Sequence, residues 1–312
     1  MMTLSRTAGA AAALLACAMA APAQAGPYSA LYIFGDSLVD AGNIEIAAFP
    51  FDPSPAAEGY FPGRFSNGPN FADVLHQRLF GTLSLASLAG GTNFGFGGAK
   101  AITDADASPD LSAQVAMFAM ASGGMADPAA LYFINVGGND AISIAFGAPI
   151  PGAAPGAVIA GQIAALAAMG ARDFLVANVV DVGMTPLLGG NPAGGRAAAL
   201  AINAGLVAAL DALVLPAGSR IRLFDTFGAT DALRADPAAA GFPGLDLSTP
   251  CVAIMAGPLC TNLFFMDAVH PTAIIHEFFG RQLFSVVPAP APLALFGLSA
   301  LALLAARRHR RA

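Results

Sequence analysis

The chain of 312 residues has few charged side chains and no long apolar run in its interior. Charged residues make up 11% of it and hydrophobic residues 56%, whereas an ordinary soluble domain is about 25% charged. Intrinsic disorder requires low hydrophobicity with high charge, so this composition excludes a largely disordered chain. Between residues 26 and 285 we find no apolar run of the roughly 20 residues that each span of a polytopic membrane protein needs.

Basic residues are especially scarce in the same segment. All 20 Asp and Glu residues, but only nine of the 14 Lys and Arg residues, lie between residues 26 and 285, which gives this segment a net charge of −11. A protein that binds nucleic acid presents a basic face to the phosphates. The charge balance therefore predicts that nucleic acid is not a partner.

Three cysteines and four histidines limit the metal and disulfide chemistry of the chain. No Cys-x-x-Cys pair and no cluster of histidines occurs, so the sequence indicates no metal site. Cys251 and Cys260 have eight residues between them in a loop-like stretch. In an exported protein such a pair is expected to form a disulfide.

The first 25 residues have the pattern of a secretory signal. Arg6 precedes an apolar stretch at 8–20, and Ala-Gln-Ala at 23–25 provides a cleavage site of small residues. Lipoprotein processing at Cys17 and a buried alanine-rich helix are the alternatives. The pattern predicts that residues 1–25 are a signal peptide and that the mature chain is exported.

The C-terminal segment 286–312 contains a proline-rich stretch, a short apolar stretch at 293–306 and four arginines within 307–311. It resembles the PEP-CTERM sorting tail of Gram-negative bacteria, although Val-Pro-Ala-Pro at 287–290 stands where that motif usually has glutamate. The resemblance implies a membrane helix, at least transient, with its arginines in the cytoplasm, and a sorting protease as partner. The predicted location is the periplasmic face of the cytoplasmic membrane, the cell surface or the medium. The alternative is a C-terminal helix packed on the core.

Short apolar runs alternate with helix-length segments between these two ends. Four runs have the continuous apolar character of strands buried on both faces of a parallel sheet: 30–34, 130–136, 174–180 and 221–224. Five segments have helical spacing or composition: 71–79, 111–118, 157–169, 197–213 and 272–283. The alternation predicts a three-layer α/β/α fold with right-handed crossovers, in which ligands bind at the carboxyl ends of the strands.

Polar residues suited to nucleophilic catalysis follow the predicted strands. Ser37 comes after the first run, at the predicted start of a helix, where it is either a nucleophile or only an N-cap. His270 precedes a proline, which places it outside a helix interior, and Asp267 lies three residues before it. A turn would let Asp267 reach one ring nitrogen of His270 while the other faces Ser37. Judged from spacing alone, the alternative is a surface loop with unrelated polar residues.

Two further segments can supply hydrogen-bond donors to an oxyanion. The glycine-rich stretch 95–99 allows close backbone approach with an exposed N–H, and Asn139 follows two glycines after a predicted strand. Each is, by itself, equally an ordinary glycine turn or Asx turn. No Gly-x-Gly-x-x-Gly follows the first strand, which disfavours a nucleotide-binding protein.

Taken together, these segments resemble the motif blocks of the GDSL esterase/lipase family, also called SGNH hydrolases. The matching segments are Gly-Asp-Ser-Leu at 35–38, Asn-Phe-Gly-Phe-Gly-Gly-Ala at 93–99, Gly-Gly-Asn-Asp at 137–140 and Asp-Ala-Val-His-Pro-Thr at 267–272. The Gly-Arg-Phe-Ser-Asn-Gly at 63–68 also occurs in members of the family. The blocks stand in family order, and no Gly-x-Ser-x-Gly surrounds Ser37, which disfavours the separate α/β-hydrolase family. Met266 departs from the pattern, since related sequences often have tryptophan there.

The resemblance implies a flavodoxin-like α/β/α hydrolase domain at residues 26–285 that needs no cofactor. It implies Ser37 as nucleophile, His270 as general base and Asp267 as the partner that orients the base. It also implies an oxyanion hole made of the Ser37 N–H, the Gly97 N–H and the Asn139 side chain.

The activity that the resemblance implies is hydrolysis of carboxylic esters by an exported esterase or lipase. The substrate would be a small-molecule, lipid or acylated-glycan ester. An O-deacetylase of polysaccharide is the alternative within enzymes, and an inactive glycan-binding surface protein is the alternative outside them. Four phenylalanines in a loop rich in proline and glycine either line an acyl pocket or pack in the core, which is the more frequent use: Phe49, Phe51, Phe61 and Phe65.

Overall fold

Four parallel strands form the central sheet. The computed structural model describes residues 28–254 and 260–288. Its strands pair in the order β1 (Leu31–Gly35), β2 (Leu131–Asn135), β3 (Asp173–Ala177) and β4 (Arg220–Phe224). The register places Leu31 beside Leu131, Leu131 beside Asp173, and Asp173 beside Arg220. The four runs predicted as strands are therefore confirmed, and β2 and β3 are buried along their whole length.

A further extended segment lies along the other side of β1. The Ile33 N–H donates to the Thr92 carbonyl, the Phe94 N–H to the Ile33 carbonyl, and the Phe96 N–H to the Gly35 carbonyl. With this segment counted, the sheet has the strand order of a flavodoxin-like doubly wound fold. In such folds the ligand binds where the order of the strands reverses, which is here at the carboxyl ends of β1 and β2.

Eight α-helices occur in the described residues, and the longer ones match the predicted helical segments. They are α1 (Asn43–Ala48), α2 (Phe71–Phe80), α3 (Leu111–Ala121), α4 (Gly138–Ala145), α5 (Ala154–Met169), α6 (Pro192–Asp211), α7 (Thr226–Ala235) and α8 (Ala273–Val286). The helices α1, α4 and α7 were not predicted; none exceeds ten residues, which leaves little room for an apolar periodicity to show.

Helices cover both faces of the sheet. Side chains alternate between the two faces along a strand, so Ile33 of β1 packs on one face with residues of α2, α7 and α8, while the next residue, Phe34, packs on the other with residues of α3, α5 and α6. The chain therefore has the predicted α/β class, with a parallel sheet between two helical layers.

Among the described residues, one helix is long and apolar enough to cross a membrane by length and composition. This helix, α6, has 20 residues and corrects the expectation that the interior contains no such segment. Its Ile202 and Leu206 are fully buried in two apolar clusters of the domain. Leu200 and Val207 on its other side are exposed, so we interpret α6 as a helix that packs one face on the core of the α/β fold.

A small second sheet precedes the predicted catalytic histidine. Its strands, β5 (Asp246–Pro250) and β6 (Leu263–Phe265), are parallel. Cys251 follows β5 directly, and Cys260 lies just before β6. A disulfide joins these two cysteines, with their Cα atoms 5.8 Å apart, as expected from their spacing.

Residues 28–288 form one compact unit. Its last helix, α8, ends at Val286, and Val287 is still buried. The predicted signal peptide at 1–25 and the sorting tail from residue 289 onward lie outside the described residues.

Candidate active site

Ser37 lies in a turn at the carboxyl end of β1. A Cβ atom at Gly35 would collide with the Asn135 carbonyl oxygen on β2, so glycine is required where the two strands end side by side. Asp36 Oδ1 accepts the Leu38 N–H at 3.0 Å and tightens the turn around Ser37. Because α1 begins only six residues later, Ser37 is not at the start of a helix, and the N-cap interpretation is wrong.

Buried Asp40 organises the backbone that follows Ser37. Its carboxylate accepts N–H groups of Gly42, Asn43, Ile44 and Gly97 at 2.7 to 3.2 Å. Burial raises the pKa of Asp40 to about 6, although the four N–H donors act in the opposite direction. This single carboxylate thus links the turn that carries Ser37, here called the nucleophile turn, to the glycine-rich segment that follows residue 93.

Asn43 makes a second link between the same two segments. Its Nδ2 donates to the carbonyls of Asn93 and Gly95 at 2.7 and 2.9 Å. Its Oδ1 accepts from Ser87 Oγ and the Leu88 N–H at 3.1 and 3.0 Å. The side chain is completely buried, so all four hydrogen bonds form without competition from water.

A continuous chain of hydrogen bonds joins Ser37, His270 and Asp267. Ser37 Oγ lies 2.7 Å from His270 Nε2, and His270 Nδ1 lies 2.7 Å from Asp267 Oδ2. Ser37 is 8% exposed, and the side chains of His270 and Asp267 are 14% and 18% exposed. In this geometry the imidazole can accept the serine proton while the carboxylate holds the ring and stabilises the imidazolium.

Asp267 is fixed by more donors than the imidazole alone. Its Oδ1 accepts the N–H groups of Val269 and His270, each at 2.8 Å, and the Tyr60 hydroxyl donates to Oδ2 at 2.7 Å. Burial raises the pKa of Asp267, but the attraction of His270 and the hydrogen bonds outweigh it and lower the pKa to about 2. Asp267 is therefore ionised at neutral pH.

Two of the three predicted oxyanion donors have hydrogens left for a ligand. The Ser37 N–H makes no hydrogen bond within the part of the chain that the structure describes. Asn139, in the first turn of α4, donates one Nδ2 hydrogen to the Ala99 carbonyl at 2.9 Å. An amide NH₂ group has two hydrogens, so the second one is available.

The third predicted donor, Gly97, needs correction. Its N–H donates to Asp40 Oδ2 at 2.8 Å and is therefore already engaged. The next residue, Gly98, has φ of +84°, a conformation that glycine adopts without strain. Its N–H has no partner among residues 28–254 and 260–288, so the free N–H of this segment belongs to Gly98.

An apolar cavity of about 50 Å³ adjoins Ser37 at the carboxyl ends of the strands. Asn139 is part of its wall. Its apolar lining consists of Leu38, Phe71, Ile142, Val180, Val182, Met184, Phe264, Phe265, Val269, Pro271 and Phe279. The four phenylalanines suggested for an acyl pocket do not line this cavity.

Those four phenylalanines have other positions. Phe49 and Phe51 are 83% and 69% exposed, and Phe61 lies 5.7 Å below the guanidinium of Arg64. The ring of Phe65 packs against the imidazole of His270, with ring centroids 4.9 Å apart. Phe65 therefore contacts the predicted general base directly, a contact that the sequence did not indicate.

The segment 63–68 connects the two halves of the site. Buried Arg64 forms a bidentate ion pair with Asp73, both contacts at 2.9 Å, and donates to the Ala41 carbonyl just after the nucleophile turn. Asn67 Oδ1 accepts the Ala273 N–H at 2.7 Å, at the first residue of α8. Tyr60, just before this segment, was missed because 207 residues separate it from Asp267 and no spacing pattern connects them.

No group of three metal-binding side chains is present in the portion of the chain that the structure describes. The arrangement around Ser37 provides a hydroxyl, an imidazole, a carboxylate and free N–H donors on Ser37 and Asn139. This set of groups is suited to acyl transfer.

Comparisons with known proteins agree with this chemistry at the level of family. Residues 31–283 match the GDSL-like lipase/acylhydrolase family. An uncharacterised protein of the trpE–trpG intergenic region of Pseudomonas putida is 28% identical over 90% of this chain and 52% of its own length. Lipase 1 of Photorhabdus luminescens is 31% identical over 55% of this chain and 25% of its own length.

Solved structures were compared as well. A lipolytic protein of the G-D-S-L family from Veillonella parvula superposes with a TM-score of 0.46 at 14% identity, covering 82% of this chain and 97% of its own. The family match spans most of the described domain and all the motif blocks around Ser37, Asn139 and His270. The chain belongs to the GDSL-like lipase/acylhydrolase family.

Proposed function

We propose that the chain is an exported serine esterase that hydrolyses carboxylic esters through Ser37, His270 and Asp267. The observation that carries the proposal is the chain of two 2.7 Å hydrogen bonds from Ser37 Oγ through His270 to Asp267. Ester hydrolysis fits the family to which the chain belongs. An inactive glycan-binding protein, the alternative of a different class, would have no need for these three side chains to be aligned.

The reaction proceeds in two halves. His270 Nε2 takes the proton of Ser37 as Oγ attacks the ester carbonyl, and the C–O bond to the alcohol then breaks. The alcohol leaves with the proton from His270, and an acyl-enzyme remains on Ser37. Water, deprotonated by His270, attacks this ester, and the acid is released as Ser37 Oγ regains its proton.

The oxyanion formed in each half is stabilised by the Ser37 N–H, the Gly98 N–H and the Asn139 side chain. All three groups have a hydrogen without a partner among the described residues. Each such donor typically stabilises the transition state by about 3–4 kcal/mol. The hydrogen bond from Gly97 to Asp40 then holds the loop that presents Gly98.

The cavity beside Ser37 has room for a short acyl group. Its volume is about 50 Å³, and about 10–15 Å³ is enough to hold one water molecule. An O-deacetylase of polysaccharide is therefore the second candidate, because acetyl is the shortest common acyl group.

Replacing the nucleophile tests the proposal. We expect Ser37→Ala to lower kcat for p-nitrophenyl acetate by about 10⁴-fold or more, as for other triad serines, with an unchanged circular dichroism spectrum. Ser122→Ala, which removes a half-buried hydroxyl at the residue after α3, should keep full activity. A p-nitrophenyl ester series from acetate to octanoate, run beside acetylated polysaccharide, separates the substrate classes. A Ser37→Ala protein with appreciable activity would rule out the proposed mechanism.

Export and anchoring complete the proposal. The signal pattern at 1–25 and the disulfide between Cys251 and Cys260 both favour an oxidising compartment. The apolar stretch at 293–306 with its arginines would hold the enzyme on the outer face of the cytoplasmic membrane until a sorting protease acts. Cell fractionation should find the full chain in the membrane fraction and a chain ending at Pro288 in the soluble one. A full chain that keeps its C-terminus and is soluble throughout would exclude the anchor.

A further inference from the structure

Tyr60 reaches Asp267 from a distant part of the chain. Its hydroxyl donates to Asp267 Oδ2 at 2.7 Å, the same oxygen that lies 2.7 Å from His270 Nδ1. The other oxygen, Oδ1, is fixed by N–H groups of its own turn. Tyr60 is therefore the one described side chain, apart from His270, that determines how Oδ2 is directed.

The position of Tyr60 is set by a small apolar cluster around the disulfide. The cluster consists of buried Cys251, Cys260 and Met266, against which Tyr60, Val252 and Leu263 pack; we call it the disulfide cluster. Since Met266 is the residue before Asp267, the cluster holds the tyrosine and the carboxylate on the same support.

Backbone hydrogen bonds tie the disulfide cluster to the turn of the general base. The Val252 N–H donates to the Met266 carbonyl at 3.0 Å, and the Met266 N–H donates to the His270 carbonyl at 2.7 Å. The turn 266–270 is thus closed on itself and attached to the residue that follows Cys251. A movement of the cluster would move Tyr60 and this turn together.

Charge keeps Tyr60 a donor. Burial and the neighbouring negative charge of Asp267 raise the pKa of the Tyr60 hydroxyl well above its ordinary value. The hydroxyl is therefore protonated throughout the range in which a protein is assayed. Three other titratable groups interact with these side chains: Asp36 and His276 interact with His270, and Glu58 interacts with Tyr60.

We propose that Tyr60, held by the disulfide cluster, is a positioning residue that directs Asp267 Oδ2 towards His270. This inference rests on the proposed function, in which His270 is the general base. Because the Tyr60 O–H occupies one side of Asp267 Oδ2, the lone pair that remains points towards His270 Nδ1. Without it, Oδ2 gains freedom and becomes a stronger acceptor, which holds the protonated imidazole more tightly.

The test compares Tyr60→Phe with Tyr132→Phe. The control loses one phenolic hydrogen bond as well, from Tyr132 to the Asp127 carbonyl at 3.0 Å, but it does so in the core on the other face of the sheet. We expect Tyr60→Phe to lower kcat for p-nitrophenyl acetate about 3- to 30-fold with little change in KM. The acid limb of its pH profile of kcat/KM should move to higher pH, whereas the control should keep the wild-type kcat and profile.

A purely structural role for Tyr60 would give a different result. Tyr60→Phe would then lower Tm, and its pH profile would overlay that of the wild type. That outcome, or an unchanged kcat in Tyr60→Phe, would overturn the proposal.

A substrate-independent reaction separates this proposal from the proposed function. A fluorophosphonate probe forms a bond between Ser37 Oγ and phosphorus, fluoride leaves, and the serine proton passes to His270. If the wild type is not labelled at Ser37, the proposed function fails and the role of Tyr60 in it falls as well. If the wild type is labelled and Tyr60→Phe reacts at the same rate, only the role of Tyr60 is refuted. Slower labelling of Tyr60→Phe than of Tyr132→Phe supports it.

Discussion

The backbone around Ser37 is held by buried polar side chains within the main sheet layer, whereas the turn that carries His270 is held by two short strands and a disulfide. On the first side, the side chains of Asp40 and Asn43 make eight hydrogen bonds, five of them to residues between 87 and 97. On the second side, the disulfide cluster and a few backbone hydrogen bonds hold the turn that carries His270. Removal of the Asp40 or Asn43 side chain should destabilise the first region, and reduction of the disulfide should destabilise the second.

The difference follows from where each region lies in the fold. Ser37 follows a strand with neighbours on both sides, so polar groups near it can be satisfied by adjacent backbone. His270 follows β6, which pairs with one strand, β5, within residues 28–254 and 260–288. A short covalent loop compensates for the smaller number of contacts, as it does in domains with little core.

Asn43→Ala has the largest expected effect, and it tests whether side-chain hydrogen bonds hold the first region. The change removes four hydrogen bonds, two of them to the buried carbonyls of Asn93 and Gly95, and the loss of a partner by a buried polar group is destabilising by about 1–3 kcal/mol. We expect the free energy of unfolding in urea to fall by at least about 3 kcal/mol. Asn262→Ala, which removes one exposed bond to the Gly244 carbonyl, is the control. Equal losses in the two variants would mean that the polar network is dispensable.

Reduction of the disulfide has the next largest expected effect. The cysteines are nine positions apart, and closure of so short a loop stabilises a protein by about 2–3 kcal/mol in the chain-entropy model. A Cys251→Ser/Cys260→Ser protein should lose this amount and should lose activity on warming before the main sheet unfolds. Mass spectrometry without reductant should find the native protein two hydrogens lighter than its reduced form. Two free thiols in protein isolated from the periplasm would contradict the assignment.

The smallest expected effect concerns His276. It lies on α8, and its Nδ1 accepts the N–H of Phe71 at the start of α2. Burial and the charge of His270 lower the pKa of His276 to about 3, so the folded protein stays unprotonated at this site while the unfolded chain binds a proton below about pH 6.5. Stability from this group is therefore complete above pH 6.5 and falls as the pH drops towards 3.

Comparison with His276→Gln isolates this contribution. On acidification below pH 6.5 the wild type should lose about 1.4 kcal/mol per pH unit more than the variant. Urea unfolding at pH 7.0, 6.0 and 5.0 measures the difference. The buried carboxylates of Asp36 and Asp40, whose pKa values are raised by burial, titrate in both proteins and cancel. Parallel pH curves would show that His276 is protonated in the folded state.

Much of the fold could be predicted because its strands are buried on both faces. A run such as 130–136 is apolar at nearly every position, and this pattern is specific to a central parallel strand. The short helices α1 and α4 were missed because they begin after glycines with positive φ rather than at recognisable caps. The helix predicted at Ser37 was wrong for a related reason, since Asp36 bends the chain into a turn first.

The sequence predicted the site residues that the order of the motifs identifies. It missed the features that depend on the direction in which a side chain or an N–H group points. The motif blocks placed Ser37, Asp267 and His270 in one group, and the structure brings them within hydrogen-bond distance. Whether Gly97 or Gly98 presents a free N–H is decided by the carboxylate of Asp40, and two adjacent glycines look alike in a sequence.

The hydrogen bond between Ser37 and His270 joins residues 233 positions apart, which has a consequence for the order of events during folding. Contacts of such separation form late, because the intervening chain must first be ordered. The strands of the main sheet end at Phe224, so the turn that carries Ser37 can form before the turn after β6 docks. We expect Ser37 not to react with fluorophosphonates until the turn after β6 docks. The time at which labelling begins therefore reports when the domain has finished folding.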